Sequence, residues 1–246
     1  EEDLRFGDAA IKLGLLTRAD IIVALAHQFD HPFLERGASK VSEEVVAAYT
    51  FFNPQVEALR ALRAQLSLRW FDGDPLRNVL AILSAERGEG RSFIAANLAV
   101  IFSQLGERTL LIDADLRNPR QHDLFGLDNR AGLSAVLSGR GRPDTVQHVA
   151  GLLGLSVLTA GGLPPNPLEL LARPLFSRLL AELRQKFDVI ILDSPAASEY
   201  ADAQTVTVRT GAALVVVRKN AARMWKVRGI SDSVTHCRAT VVGTVL

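Results

Sequence analysis

Residues Ala85-Glu86-Arg87-Gly88-Glu89-Gly90-Arg91-Ser92 decide the fold. They follow an apolar run, Val79–Ser84, and lead into a helical pattern, Ser92–Leu105. A strand that turns on glycines into a helix matches the spacing of a phosphate-binding loop, G-x-x-x-x-G-K-[ST], with two departures. Ala85 stands for the first Gly, and Arg91 stands for the Lys. The physical logic survives both. Gly88 and Gly90 let the backbone turn tightly and aim N–H groups at an anion. The helix that begins near Ser92 adds its positive end, and the Ser92 hydroxyl suits Mg²⁺. A Gly-rich turn without ligand shares this pattern, so the surrounding sequence has to decide.

Outward from the loop, short apolar runs alternate with helical segments. The runs are Val79–Ser84, Thr109–Ala114, Leu155–Thr159, Val189–Leu192, Ala213–Val217 and Thr240–Leu246. Helical patterns stand between most of them, at Ser92–Leu105, Pro174–Lys186 and Ala221–Cys237. Continuous apolar strands that alternate with helices predict an α/β fold with a mainly parallel sheet covered on both faces. The run Leu110-Leu111-Ile112 ends in Asp113-Ala114-Asp115, and Val189-Ile190-Ile191-Leu192 ends in Asp193-Ser194-Pro195. Carboxylates at strand carboxyl ends lie where open α/β sheets bind ligands. A strand-terminal Asp in the second pattern helps hold Mg²⁺ in phosphate-loop enzymes. Each Asp alone could be a strand cap. Three of them with one phosphate loop point to a nucleotide site.

The composition agrees with a folded protein. Of 246 residues, 48% are hydrophobic and 22% charged, which excludes a disordered tail, a collagen or a disulfide scaffold. Lys+Arg 28 against Asp+Glu 27 gives +1, which does not support a general nucleic-acid binder. The single cysteine, Cys237, excludes an intramolecular disulfide and fits a reducing compartment. No apolar run approaches the roughly 18–20 residues that span a bilayer, and the start Glu1-Glu2-Asp3 is not a signal peptide. The chain begins without Met and ends inside an apolar run, so it reads as part of a longer protein. Arg outnumbers Lys by 23 to 5, so Arg often stands where another sequence carries Lys.

The motifs together resemble those of bacterial tyrosine kinases that control exopolysaccharide or capsule chain length. These are similar to the deviant-Walker, MinD-like ATPases of cell division and plasmid partition. The resemblance rests on Gly88-Glu89-Gly90-Arg91-Ser92, Ala95-Ala96-Asn97-Leu98-Ala99, Asp113-Ala114-Asp115-Leu116-Arg117-Asn118-Pro119, Pro164-Pro165-Asn166-Pro167 with Glu169-Leu170-Leu171, and Asp193-Ser194-Pro195. It covers roughly residues 54–246. It implies ATP or ADP with Mg²⁺ as cofactors, held by Gly88, Glu89, Gly90, Arg91 and Ser92. It places Ser92, Asp193 and Asp113 near the metal, and Asp113, Asp115 and Arg91 in catalysis. Asp115 is the better candidate for orienting or deprotonating the attacking hydroxyl. Partition ATPases carry an extra Lys at the position of Glu86, and an acidic residue there disfavours their mechanism.

Ahead of the sheet, Pro54–Trp70 reads as one long helix with Glu57, Arg60 and Arg63 at E-x-x-R-x-x-R spacing along one inclined face. An ordinary solvated face with one i,i+3 ion pair has the same pattern. In the resembled kinases this motif joins subunits into a ring, so the three residues are assigned to oligomerisation. Trp70 and Phe71 are expected to pack rather than bind a base. Residues 4–36 read as helices, with Thr17 as an N-cap before Arg18-Ala19-Asp20, and His31-Pro32 as a stop. A further helical pattern spans Ser42–Tyr49, and Phe51-Phe52-Asn53-Pro54 is a break.

The front stretch Arg5-Phe6-Gly7, Leu13–Thr17, Asp20-Ile21 and Ala24-Leu25-Ala26-His27-Gln28 resembles a helical module at the amino end of type II secretion and pilus ATPases. Some versions bind cyclic di-GMP through two tandem copies, and one copy is visible here. A plain docking module is the other reading. The expected division is therefore 1–50, a small helical module, and 51–246, an ATP-binding domain. His27, His31, His122, His148 and His236 lack metal-ligand spacing.

Active family members also carry a tyrosine cluster in a flexible tail, whereas this chain has only Tyr49 and Tyr200. Two functions follow. One is an ATP-binding protein-tyrosine autokinase of exopolysaccharide export. The other is a regulatory nucleotide-binding subunit of a membrane copolymerase with weak or no kinase activity. A partition-type ATPase is a distant third. A family role at the membrane implies a separate transmembrane adaptor and a place at the cytoplasmic side of the inner membrane.

Overall fold

The computed structural model describes residues 6–17, 20–21, 24, 28, 32–50, 53–141 and 145–246. Arg5, Arg18, Ala19, Leu25, Ala26, His27, His31, Phe51 and Phe52 lie outside the described residues. In chain order the helices and strands begin with α1 (Phe6–Lys12), α2 (Val46–Tyr49), α3 (Pro54–Arg69), β1 (Val79–Ser84), α4 (Arg91–Ser103) and β2 (Thr109–Asp113). They continue with α5 (Gln121–Phe125), α6 (Leu133–Leu137), β3 (Gln147–His148), β4 (Leu155–Leu158), α7 (Pro167–Ala172) and α8 (Pro174–Arg184). The chain closes with β5 (Val189–Asp193), α9 (Asp202–Thr210), β6 (Ala212–Val216), α10 (Met224–His236) and β7 (Thr240–Val245).

Among the described residues the strands form one seven-stranded sheet in the order β3-β4-β2-β5-β1-β6-β7. Every pairing is parallel except the short β3 against β4. Every residue of β1, β2, β4, β5 and β6 is buried, because helices cover both faces. Two apolar layers result. One packs α2, α3 and α4 on the sheet; the other packs α6 to α10 on its opposite face. The register sets Asp113 of β2 directly beside Asp193 of β5.

Small residues shape the first layer. Ala95, Ala96 and Ala99 are fully buried on α4 and let that helix lie close to the strands. Trp70 donates its ring N–H to the Val79 carbonyl at 2.9 Å, and Phe71 meets Phe102 edge-on at 5.1 Å. Both aromatics therefore pack, as expected. Asn53 caps α3 by accepting from the Gln55 N–H at 2.8 Å, with Pro54 in the first turn.

Thr17 forms the expected cap. Its hydroxyl accepts from the Asp20 N–H at 3.2 Å, and the Asp20 carboxylate accepts from the Thr17 N–H at 2.7 Å. The helix expected over Ser42–Tyr49 is shorter, Val46–Tyr49. The Ser42 hydroxyl accepts from the Glu44 N–H at 3.3 Å, a local turn that competes with helix.

Residues 34–49 do not stand apart from the sheet. Leu34, Val41, Val45, Ala47, Ala48 and Tyr49 share the hydrophobic layer of α3 and α4. One buried side chain anchors them. Asn97 on α4 accepts from the Ala47 N–H at 2.9 Å and donates to the carbonyls of Glu44 and Phe93 at 3.2 and 2.9 Å. Gln104 adds bonds to the carbonyls of Pro32 and Ala47 at 3.0 and 2.9 Å. No helix among the described residues is long and apolar enough to cross a membrane.

Candidate functional site

The loop between β1 and α4 turns through two glycines in the left-handed region, Gly88 at φ 78° and Gly90 at φ 95°. A side chain at either would be strained, which explains both glycines. Gly90 also caps α4, so the helix begins at Arg91 with its positive end open to the loop. Arg87, Gly88, Glu89, Gly90, Arg91, Ser92, Phe93, Asp115, Asn118 and Arg120 line a cavity of about 180 Å³ there. Gly88, Glu89, Gly90, Arg91 and Ser92, expected to bind the cofactor, thus share one cavity.

The acids converge behind the loop. Asp193 at the end of β5 accepts from the Gln121 amide at 2.8 Å and the Arg91 Nε at 3.3 Å. Asp113 is fully committed to backbone. It accepts from the N–H groups of Arg120 and Gln121, both at 2.9 Å, and of Asp115 at 3.2 Å. It therefore caps α5. Asp115 accepts from the N–H groups of Arg117 and Asn118 at 3.2 and 2.9 Å. Burial, and then the charge of Asp193, raise the pKa of Asp113 well above the ordinary carboxylate range. Burial also raises that of Asp193, although Arg91, Ser92 and Gln121 oppose it.

Arg91 lies on the inner side of this cavity. Its Nη1 donates to the Ser84 hydroxyl at 2.6 Å, its Nε faces Asp193 and its Nη2 faces Asp115, the last two at 3.3 Å. The guanidinium thus joins the two acidic motifs to the end of β1. Glu86 turns towards α10 and pairs with Lys226. The Lys226 hydrogen bond lowers the pKa of Glu86.

Several residues of the site carry no sequence signal of their own. Gln121 bridges the Ser92 carbonyl and Asp193. Arg87 holds Asn118 at 2.7 Å, and Arg218 donates to the Gly88 carbonyl at 3.1 Å. Arg218 follows the carboxyl end of β6, the one hint that could have drawn attention to it. One Glu89 oxygen takes the Glu86 N–H at 2.9 Å, while Oε1 is buried without a hydrogen-bond donor.

Glu57, Arg60 and Arg63 do not belong to this cavity. Arg60 pairs with Glu57 at 2.5 Å on α3. Arg63 is partly buried and donates to the Ile101 carbonyl of α4 at 3.2 Å, so it serves the fold as well as the surface.

A family profile described as ParA, NUBPL iron-transfer P-loop NTPase, matches residues 75–245. EpsB of Ralstonia solanacearum is 33% identical over 193 residues, which is 78% of this chain and 26% of that protein. The chain thus spans about a quarter of the length of that relative. The tyrosine-protein kinase YwqD of Bacillus subtilis is 32% identical over 208 residues, 85% of this chain and 87% of that protein. The kinase domain of the Escherichia coli tyrosine kinase ETK superposes with a TM-score of 0.77 at 32% identity, covering 87% of this chain and 82% of that one.

Proposed function

Because the chain belongs to the bacterial tyrosine-kinase family, we propose that it is an ATP-binding protein-tyrosine autokinase that regulates exopolysaccharide chain length and export. One observation supports this above the rest. Ser92 and Asp115 line the cavity of the glycine loop, and Asp193, side by side with Asp113 in the sheet register, is joined to Asp115 through Arg91. A hydroxyl and a strand-end carboxylate form a hard oxygen donor set that fits Mg²⁺. The open glycine turn and the start of α4 fit a polyphosphate. When bound, Mg-ATP supplies the transferable phosphoryl group and the charge that offsets its oxygens.

The chain's own residues then have distinct tasks. Gly88, Gly90 and the first turn of α4 orient the phosphates through backbone N–H groups. Ser92 and Asp193 hold the cation. Asp115 orients or deprotonates the incoming hydroxyl. Asp113 holds the turn that carries Asp115, through the Asp115 N–H and the cap of α5. Arg91 leaves the acids to meet the phosphates, or stays to balance their charge.

A second reading, a regulatory nucleotide-binding subunit of the copolymerase, draws support from Arg91, which is engaged with Asp193 and Asp115. A partition-type ATPase loses support, since the position of its extra Lys holds Glu86, a carboxylate paired with Lys226. Assembly into a ring through α3, and a separate transmembrane adaptor at the cytoplasmic face of the inner membrane, complete the proposal. The stretch ahead of Leu34 acts as a docking module, with cyclic di-GMP as a candidate ligand, while residues 34–49 belong to the sheet domain.

Transfer of labelled phosphate from ATP to tyrosine by the full-length protein tests the choice. Turnover supports the kinase, and nucleotide binding without transfer supports the regulatory subunit. Asp193→Ala should remove the Mg²⁺-dependent part of ADP affinity in calorimetry. Equal ADP binding by the parent with and without Mg²⁺ would contradict the metal role.

A further inference from the structure

We propose that Tyr200 is a phosphoacceptor of this chain, an inference that rests on the kinase reading above. The chain holds two tyrosines. Tyr49 is 7% exposed and spends its hydroxyl on the Val41 carbonyl, so it is closed to transfer. Tyr200 is 37% exposed.

Its position is set from two sides. The segment that leads to it from the end of β5 is tied to the phosphate loop, with the N–H groups of Ala197 and Ser198 on the carbonyls of Ser84 and Ala85 at 3.0 and 3.1 Å. Its ring lies against the Arg117 guanidinium, 3.9 Å from the ring centroid. Arg117 is itself fixed. It pairs through two nitrogens with the buried Asp202, at 3.1 and 3.3 Å, and its backbone N–H is bonded to Asp115. Tyr200 is thus one side-chain layer from the second acidic motif, on a rigid platform. A cation–π contact orients a ring without occupying its hydroxyl.

In the transfer step the Tyr200 oxygen attacks the γ-phosphorus of ATP and forms a new P–O bond. The bond from that phosphorus to the β,γ-bridging oxygen breaks, ADP departs with the electron pair, and the phenolic proton passes to water. The product carries about −1.5 to −2 charge beside Arg117. That charge competes with Asp202 for the guanidinium and so reaches the turn that presents Asp115.

The test incubates the full-length protein with Mg-ATP and a soluble Glu–Tyr copolymer as an external acceptor, then maps phosphate by peptide mass spectrometry. Phosphate on Tyr200, reduced at least tenfold in Tyr200→Phe, supports the proposal; Phe keeps the stacking and removes the acceptor. Phosphate on the copolymer with none on Tyr200 overturns the proposal and leaves the kinase reading intact. Phosphate on neither overturns both. Tetranitromethane provides a readout without turnover. It should nitrate Tyr200 and spare Tyr49, and a Tyr200 that resists nitration in the folded protein overturns the proposal.

Discussion

At Arg91 a single guanidinium answers three acceptors, Ser84, Asp193 and Asp115. Its planar fork suits that arrangement better than an ammonium would. Removal of one member of a buried charge cluster leaves the other uncompensated, at a cost of about 3–5 kcal/mol. We therefore expect Arg91→Ala to lose stability of that order in urea unfolding, and Asp193→Asn to restore part of it in the double variant. An unchanged midpoint for Arg91→Ala would show that the acids do not depend on it. Arg91→Lys should keep ADP affinity within about tenfold, or 1.4 kcal/mol, and raise turnover. A compact ammonium on a flexible stem leaves the acids more readily and follows the separating oxygens.

Asp113 gives a pH signature. Its folded pKa lies above its unfolded value, so the folded state binds more protons and stability falls as pH rises through that range. Asp113→Asn should flatten this decline, which sets in as pH rises above the ordinary carboxylate value, relative to the parent. Parallel stability curves for the two proteins would sink the assignment.

Among the elements, α4 joins the most parts of the molecule, and Asn97 is its one buried amide with partners in three places. Asn97→Ala leaves the Ala47 N–H and the Glu44 carbonyl without that partner, which should cost about 2–3 kcal/mol. Limited proteolysis should then cut first within residues 32–50. Cleavage elsewhere with the same order and rate as the parent would deny the anchoring role. The contact was illegible in the sequence, because one Asn in an alanine-rich helix carries no mark of its partner. The long strands were legible, since a continuous apolar run has few other uses. The short α5, α6, α7 and β3 were not, because two to six residues are too few to display a period. Within the site, the strand-end acids and glycines could be read directly. Gln121 and Arg120 could not, since both reach Asp113 through a helix cap that exists only after the sheet forms.

For the whole molecule, the expected ring depends on α3. Replacing Glu57, Arg60 and Arg63 by Ala should shift the mass measured by light scattering towards monomer. The structure divides the three. Arg63→Ala alone should also lower the melting temperature, since it loses the Ile101 carbonyl, whereas Glu57→Ala should not. An identical mass before and after the triple change would remove the ring from the proposal. The expected boundary at residue 50 belongs to the same scale. Residues 34–49 share the hydrophobic layer of α4, so a fragment that begins at 51 would bare Ala95, Asn97 and their neighbours to water.

The helix that starts at the glycine loop has a mechanical consequence. Residues Arg91–Ser103 form a rod of about 20 Å at 1.5 Å per residue. It is buried along nearly its whole length, so it has no free side towards which to buckle. One end carries Ser92, and near the other the carbonyl of Ile101 is gripped by Arg63. If copies of the chain meet at α3, this one stiff helix joins that face to the glycine loop.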